Sequence, residues 1–336
     1  MLSRLINNQL KRTKKIFLNI AGIALLAVWS SSIVGQNALA EDKKKVVFVN
    51  SYHNGFTWSD GIANGIQSRF LVQDVWFKTL YMNAWHDRSP QQIMLAAEKV
   101  NSAIEQINPD IVITSDDIAA KYVISSDLVR PERSYVFAGV NWNALDHDFS
   151  KHSVTGIVEV SLINSLVDLL SQYASGSRIG FLSVDTFSAR KDLKNYALRL
   201  KQNFDKAYFV NSLDEWQRRF KELQTSVDIL ILENPEGLSN WSDQQFREFV
   251  FDEAEIPIGS TYVSLAHLSL ISIAKIPEEQ GWWAADAAVK ILEGESPDNI
   301  PVAQNKEGKL IVNLSLAEKL GVVFSQEILE TAEIIK

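Results

Sequence analysis

From Lys45 onward, short runs of β-branched and aromatic residues alternate with longer stretches of helical period, and the series runs twice along the chain. That order admits few folds. Parallel strands need crossover helices, so the sheets are covered on both faces and their strands read as near-continuous apolar runs. The strands are expected at Val46–Asn50, Val75–Tyr81, Ile111–Thr114, Ser134–Phe137, Arg178–Ser183, Ala207–Val210, Ile229–Glu233 and Leu270–Ala274. Helices are expected near Asp60–Leu71, Pro90–Gln106, Ile118–Ser125, Leu162–Tyr173, Ala189–Phe204, Leu213–Leu223, Asp243–Phe251 and Trp282–Leu292. Three starts are marked by capping boxes, at Ser89-Pro90-Gln91-Gln92, Ser212-Leu213-Asp214-Glu215 and Ser242-Asp243-Gln244-Gln245, where hydroxyl and N3 side chain satisfy free backbone donors. The two series, about 45–155 and 160–270, join near Gly156-Ile157-Val158-Glu159, and a closing segment follows. An α/β chain of two lobes with a crevice between them is the expectation.

The first forty residues bear on location. Arg4, Lys11, Arg12, Lys14 and Lys15 precede an apolar run from Ile16 to Trp29, and small residues lead to Ala38-Leu39-Ala40. Charged, apolar and small regions in that order describe a secretory signal peptide, with cleavage expected after Ala40. An uncleaved anchor is the alternative, but the apolar stretch is short of the roughly twenty residues a spanning helix needs. The sequence contains no cysteine, so neither a lipoprotein anchor nor a disulfide is available. Loss of five basic residues on cleavage leaves 28 Lys+Arg against 41 Asp+Glu, a balance of −13. Such a chain repels nucleic acid and anionic lipid surfaces. A periplasmic, monomeric protein without nucleic-acid partners is expected.

In open α/β sheets ligands bind beyond the carboxyl ends of the strands, so candidate binding residues lie in those loops. After the first strand come Asn50-Ser51-Tyr52-His53-Asn54-Gly55-Phe56-Thr57-Trp58-Ser59-Asp60, mixing aromatic faces with hydrogen-bonding groups as pockets do. Thr114-Ser115-Asp116-Asp117 holds more carboxylates and hydroxyls than a helix cap uses. Ala138-Gly139-Val140-Asn141-Trp142-Asn143 follows the fourth strand, and Glu159 lies at the first crossover. In the second lobe Ser183-Val184-Asp185-Thr186, Glu233-Asn234-Pro235 and Ser260-Thr261-Tyr262 occupy equivalent positions. The acidic groups outnumber cations, with Arg190 the one obvious cation nearby. Carboxylates beside Tyr and Trp favour a ligand bearing an ammonium group, although a sugar would stack on the same aromatics. His147 and His152 read as a solvated turn, and Trp282-Trp283 as packing.

Enzymatic signatures are missing. No G-x-S-x-G, G-x-x-x-x-G-K-[ST], G-x-G-x-x-G or H-E-x-x-H occurs, and without cysteine there is no thiol chemistry. The expectation is a binding protein with no catalytic residue, cofactor or metal site.

V-V-F-V-N-S-Y-H-x-G-x-x-W-S-D-G-I (Val46–Ile62), I-V-I-T-S-D-D-I-A-A (Ile111–Ala120), V-F-A-G-V-N-W (Val136–Trp142), T-G-I-V-E (Thr155–Glu159), W-A-A-D-A-A-V-K-I-L-E-G-E-S-P-D-N-I-P-V (Trp283–Val302), L-I-V-N-L (Leu310–Leu314) and A-E-K-L-G (Ala317–Gly321) carry a resemblance. The chain resembles the ABC transporter substrate-binding family of tryptophan/tyrosine type, and the related sensor domains of bacterial membrane kinases and diguanylate cyclases. That resemblance implies the type I periplasmic-binding fold: two Rossmann-like lobes joined by crossovers, closing on a small ligand. It implies an N-terminal lobe of 41–157 plus about 275–299 and a C-terminal lobe of 158–274 plus about 300–336. Ser51, Tyr52, Ser115, Asp116, Asn141, Glu159, Asp185 and Glu233 fall where such proteins contact ligands, and Trp58 and Trp142 join them from the same loops. The membrane partner it implies is an ABC permease, or alternatively a kinase or cyclase that the liganded protein regulates.

Overall fold

The structure, a computed structural model, describes residues 43–84, 89–125, 133–149, 153–233 and 243–336. The segment 1–40, read as a signal peptide, lies outside the described residues, as do His152, Asn234, Pro235 and the Ser242 cap. Residues 45–336 gather into one compact unit. Among the described residues no helix is long and apolar enough to cross a membrane.

Two sheets form. The first is built from β1 (Lys44–Asn50), β2 (Val75–Tyr81), β3 (Ile111–Ser115), β4 (Ser134–Asn141), β5 (Ser153–Glu159) and β11 (Ala303–Gln304), in the order β11-β5-β4-β3-β1-β2. The second holds β6 (Ile179–Val184), β7 (Lys206–Val210), β8 (Ile229–Leu232), β9 (Ile258–Ser260), β10 (Ile271–Lys275), β12 (Gly308–Asn313) and β13 (Glu333–Ile335), in the order β13-β12-β10-β9-β8-β6-β7. Pairing is parallel at β1–β3, β3–β4, β4–β5, β6–β8 and β8–β9, and antiparallel at β10–β12. Central strands such as β3 and β8 are buried at every residue, as the apolar runs require.

The helices are α1 (Thr57–Phe70), α2 (Pro90–Ile107), α3 (Asp116–Ala119, continued by a π turn over Ala120–Ile124), α4 (Ile163–Leu170), α5 (Phe187–Arg199), α6 (Leu213–Ser226), α7 (Asp243–Glu253), α8 (Pro277–Leu292), α9 (Leu314–Leu320) and α10 (Gln326–Thr331). At two of the three capping boxes the hydroxyl cap is made: the Gln92 N–H donates to Ser89 Oγ and the Glu215 N–H to Ser212 Oγ, both at 3.3 Å. Helix α5 ends at Arg199 rather than Phe204, because Lys201 turns left-handed at φ 59°. Phe204 then folds back onto Phe181, ring centres 5.2 Å apart.

The chain passes between sheets three times, after Glu159, after Lys275 and after Gln304. These passages are tied to one another. The Val160 N–H donates to Asn305 Oδ1 at 2.7 Å, and Glu279 accepts from the Lys306 and Glu307 N–H groups at 2.8 and 3.1 Å. One apolar core runs from the first sheet through Val158, Val160 and Ile163 into the second, and another seats α1 and α8 on the opposite face of the first sheet.

Candidate functional site

The carboxyl ends of β1, β3, β4 and β5 face those of β8, β9 and β10 through a connected set of side chains. At β3 the backbone turns sharply into α3, and Asp116 takes φ 67°, a left-handed conformation that Asp tolerates better than most residues. Ser51 stabilises that turn. Its hydroxyl donates to the Ser115 carbonyl at 2.5 Å and accepts the Ala119 N–H at 2.9 Å, fully buried. Asp116 is 6% exposed and accepts a hydrogen bond from Ser59 Oγ at 3.2 Å. Burial, reinforced by the charges of Glu159 and Asp117, pushes its carboxyl well above the usual range.

Strand β4 carries a bulge between Ala138 and Val140, with Gly139 at φ 66°. A Cβ there would lie 3.2 Å from Ile62 Cδ1 and in ordinary contact with Trp58 Nε1 and Asp116 Oδ1, so the left-handed backbone is the stronger reason for glycine. The Trp58 indole nitrogen is buried without an acceptor. Beyond the bulge, Asn141 Nδ2 donates to Asp117 Oδ2 at 2.7 Å, and His147 Nε2 lies 2.8 Å from Asp117 Oδ1. His147 is therefore no solvated turn residue. Its side chain is 7% exposed and stacks on Phe149, ring centres 5.5 Å apart. Asp117 is lowered: its burial raises the carboxyl, but bonds from His147 and Asn141 outweigh that.

Trp142, at φ 68° and buried, reaches from the first lobe to the second. Its Nε1 donates to Asp192 Oδ1 on α5 at 2.9 Å, and its ring meets Tyr196 edge-on at 5.6 Å. Tyr196 OH bonds Ser161 Oγ at 3.2 Å. Asp192 and Tyr196 are four apart on one helix face. At the end of β8, Glu233 is 4% exposed, accepts from Thr261 Oγ1 at 2.7 Å, and is raised to about 8 by burial, with Asp192 adding repulsion. Burial also raises Asp192.

Lys275 stands among these carboxylates at the end of β10, where its ammonium pairs with Glu159 and lies 5.6 Å from the centre of the Trp58 ring. Burial works against the Lys275 charge, yet Glu159, Asp192 and Glu233 together outweigh it and raise its pKa. Sequence reasoning assigned the role of nearby cation to Arg190, and the structure corrects this. Arg190 binds Asp185 at 2.6 and 2.8 Å, both side chains open to solvent at 57% and 28% exposure.

Trp58, Asp116, Asn141, Trp142, Glu159 and Glu233 are thus brought into one network, whereas Asp185 is engaged in its own exposed ion pair. Ser51 spends its hydroxyl on the backbone. Ser115 supplies the extended residue before α3, and Tyr52 packs on Phe56 at 4.4 Å with its N–H on Asn50 Oδ1. Lys275, Asp192, Tyr196 and Thr261 complete the set. Three surface grooves of about 400, 610 and 570 Å³ lie elsewhere and share none of these residues.

The sequence matches the family model for ABC transporter substrate binding proteins over residues 56–336. The chain belongs to that family. No curated protein matches it. Among solved structures it is similar to a ligand-free, open substrate-binding protein with adhesive properties from Clostridium difficile, at TM-score 0.65 and 15% identity, covering 87% of this chain and 99% of that one. It is also similar to an ABC domain in complex with L-Trp from Streptococcus pneumoniae (TM-score 0.55, 16% identity, 88% and 100% covered). A periplasmic ribose ABC transporter protein from Conexibacter woesei gives TM-score 0.55 at 14% identity, with 84% and 96% covered. These likenesses are of fold: this substrate-binding protein has the type I periplasmic-binding architecture, two helix-flanked, parallel-dominated sheets.

Proposed function

We propose that this substrate-binding protein works in the periplasm after export, closing its cleft on a small, polar, amine-bearing solute and delivering it to an ABC permease. One observation carries the reading. Glu159 from the first lobe and Asp192 and Glu233 from the second converge on a single lysine that lies over the Trp58 ring, and the buried Asp116 carboxyl adjoins Glu159. Carboxylates withdrawn from water are costly without a partner, and a ligand ammonium supplies charge-assisted hydrogen bonds that relieve the cost. The Trp58 indole offers a face that attracts the same cation. Because the carboxylates come from both lobes, a cation satisfies them together only when the lobes are closed, which gives it the differential affinity that drives closure.

The test is a thermal-shift screen of residues 41–336 against amines, amino acids including tryptophan, sugars and nucleosides. A specific, concentration-dependent rise in melting temperature with amines is expected, since a ligand that prefers the folded state stabilises it. Asp116→Asn should weaken the best amine by about tenfold or more, roughly 1.4 kcal/mol. Asparagine is the right replacement because alanine would add the strain of the left-handed backbone. A response confined to neutral sugars would overturn the reading.

A further inference from the structure

Lys275 occupies the cleft as a ligand ammonium would. Its Nζ reaches across to the Glu159 carboxylate and over the Trp58 ring at 5.6 Å, both of the first lobe, and feels Asp192 and Glu233 of its own lobe. It reaches this place because β10 ends on it, immediately before the chain passes back to the first lobe at Pro277. Its side chain is 26% exposed and Glu159 is 9% exposed, so the pair is shielded enough for one charge to alter the balance of the whole cluster. Lys191 on α5, 38% exposed and 4.0 Å from Asp146, adds a more distant positive charge that favours the ionised forms of Asp192 and Asp117.

We propose that Lys275 is the specificity-determining residue of the cleft, an internal ammonium that neutralises one carboxylate and thereby sets how many positive charges the ligand may carry. The inference rests on the amine-binding reading above. With Lys275 in place, Glu159 is engaged, and the carboxylates left for a ligand are those of Asp116, Asp192 and Glu233, of which Asp192 already accepts the Trp142 N–H. A solute with one ammonium suits that remainder. Without the lysine the Glu159 carboxylate joins them, across the cleft from Glu233, and a second ammonium gains a place.

The probes are n-butylamine and 1,4-diaminobutane, matched in carbon chain and differing by one ammonium, titrated by calorimetry into wild type, Lys275→Gln, Lys275→Arg and Glu159→Gln. Lys275→Gln should raise the ratio of diamine to monoamine affinity at least tenfold. Lys275→Arg keeps the charge and should leave that ratio within about twofold of wild type. Glu159→Gln, which frees the lysine charge, should lower it. The Glu159→Gln arm also decides the matter if Lys275→Gln does not fold. A folded Lys275→Gln, or Glu159→Gln, with the wild-type ratio would overturn the proposal while leaving amine binding intact. Failure of wild type to bind either amine would overturn the amine reading and this inference with it.

Discussion

At the scale of single residues the cleft stands out for carboxyl groups held where carboxylates are costly. Glu233 is the clearest case. Its ordinary value of 4.5 is raised to about 8 by burial, so near neutral pH it holds a proton. The folded state therefore binds this proton more tightly than the unfolded chain does. Its contribution to stability is full below about pH 4.5 and is lost as pH rises towards 8, at up to about 1.4 kcal/mol per pH unit. Glu233→Gln carries no such proton. The stability of wild type relative to Glu233→Gln should thus fall by about 2–3 kcal/mol between pH 5.5 and 7.5, read from urea unfolding at each pH. A difference that stays flat across that range would mean the carboxyl is ionised in the folded protein. Glu233 was legible in the sequence as a strand-end acid. Lys275 was not: the apolar run of β10 reads as ending at Ala274, and the charge that matters is the next residue, still within the strand. Asp192 and Tyr196 escaped for another reason. They sit on the second and third turns of α5, and their approach to Trp142 depends on how the two lobes meet.

At the scale of elements, two close approaches hold the site in place. Gly139 forms the β4 bulge beside Trp58 and Asp116 at φ 66°. On the other side of the first sheet α1 and α8 pack so closely that a Cβ at Gly281 would collide with the Ile62 carbonyl and lie 2.8 Å from the Ile66 nitrogen. Backbone cannot yield as a flexible side chain does, so Gly281→Ala should destabilise by about 3 kcal/mol, the upper end of ordinary overpacking, measured as a lower urea midpoint with unchanged slope. A loss below about 0.5 kcal/mol would show that the helices can separate cheaply. The long elements were readable because their apolar periods are unambiguous and their caps are chemical: Ser89 and Ser212 accept the N–H groups their spacing assigns. The strands β9, β11 and β13 were not, having two or three residues each. Pairing with longer neighbours makes them strands, and no local pattern records that. The first crossover, read only as a junction, proves to be the strand β5, whose Gly156 lies against the Phe137 ring.

At the scale of the whole molecule, three tied passages join two sheets so that carboxylates at the strand ends of each lobe share one space. The doubled βα series was enough to predict the two lobes and their crevice, because parallel sheets admit few alternatives. The contents of the crevice were half visible, since residues at strand ends can be found one lobe at a time while contacts across the lobes cannot. A ligand cation takes the place of the Glu233 proton in this cleft, which calorimetric titration of the best amine at pH 6 and pH 8.5, in buffers of different ionisation enthalpy, puts to the test. Binding that displaces the proton from Glu233 should tighten at least tenfold over that interval and release protons at the lower pH. Affinity independent of pH with no proton release would contradict the account.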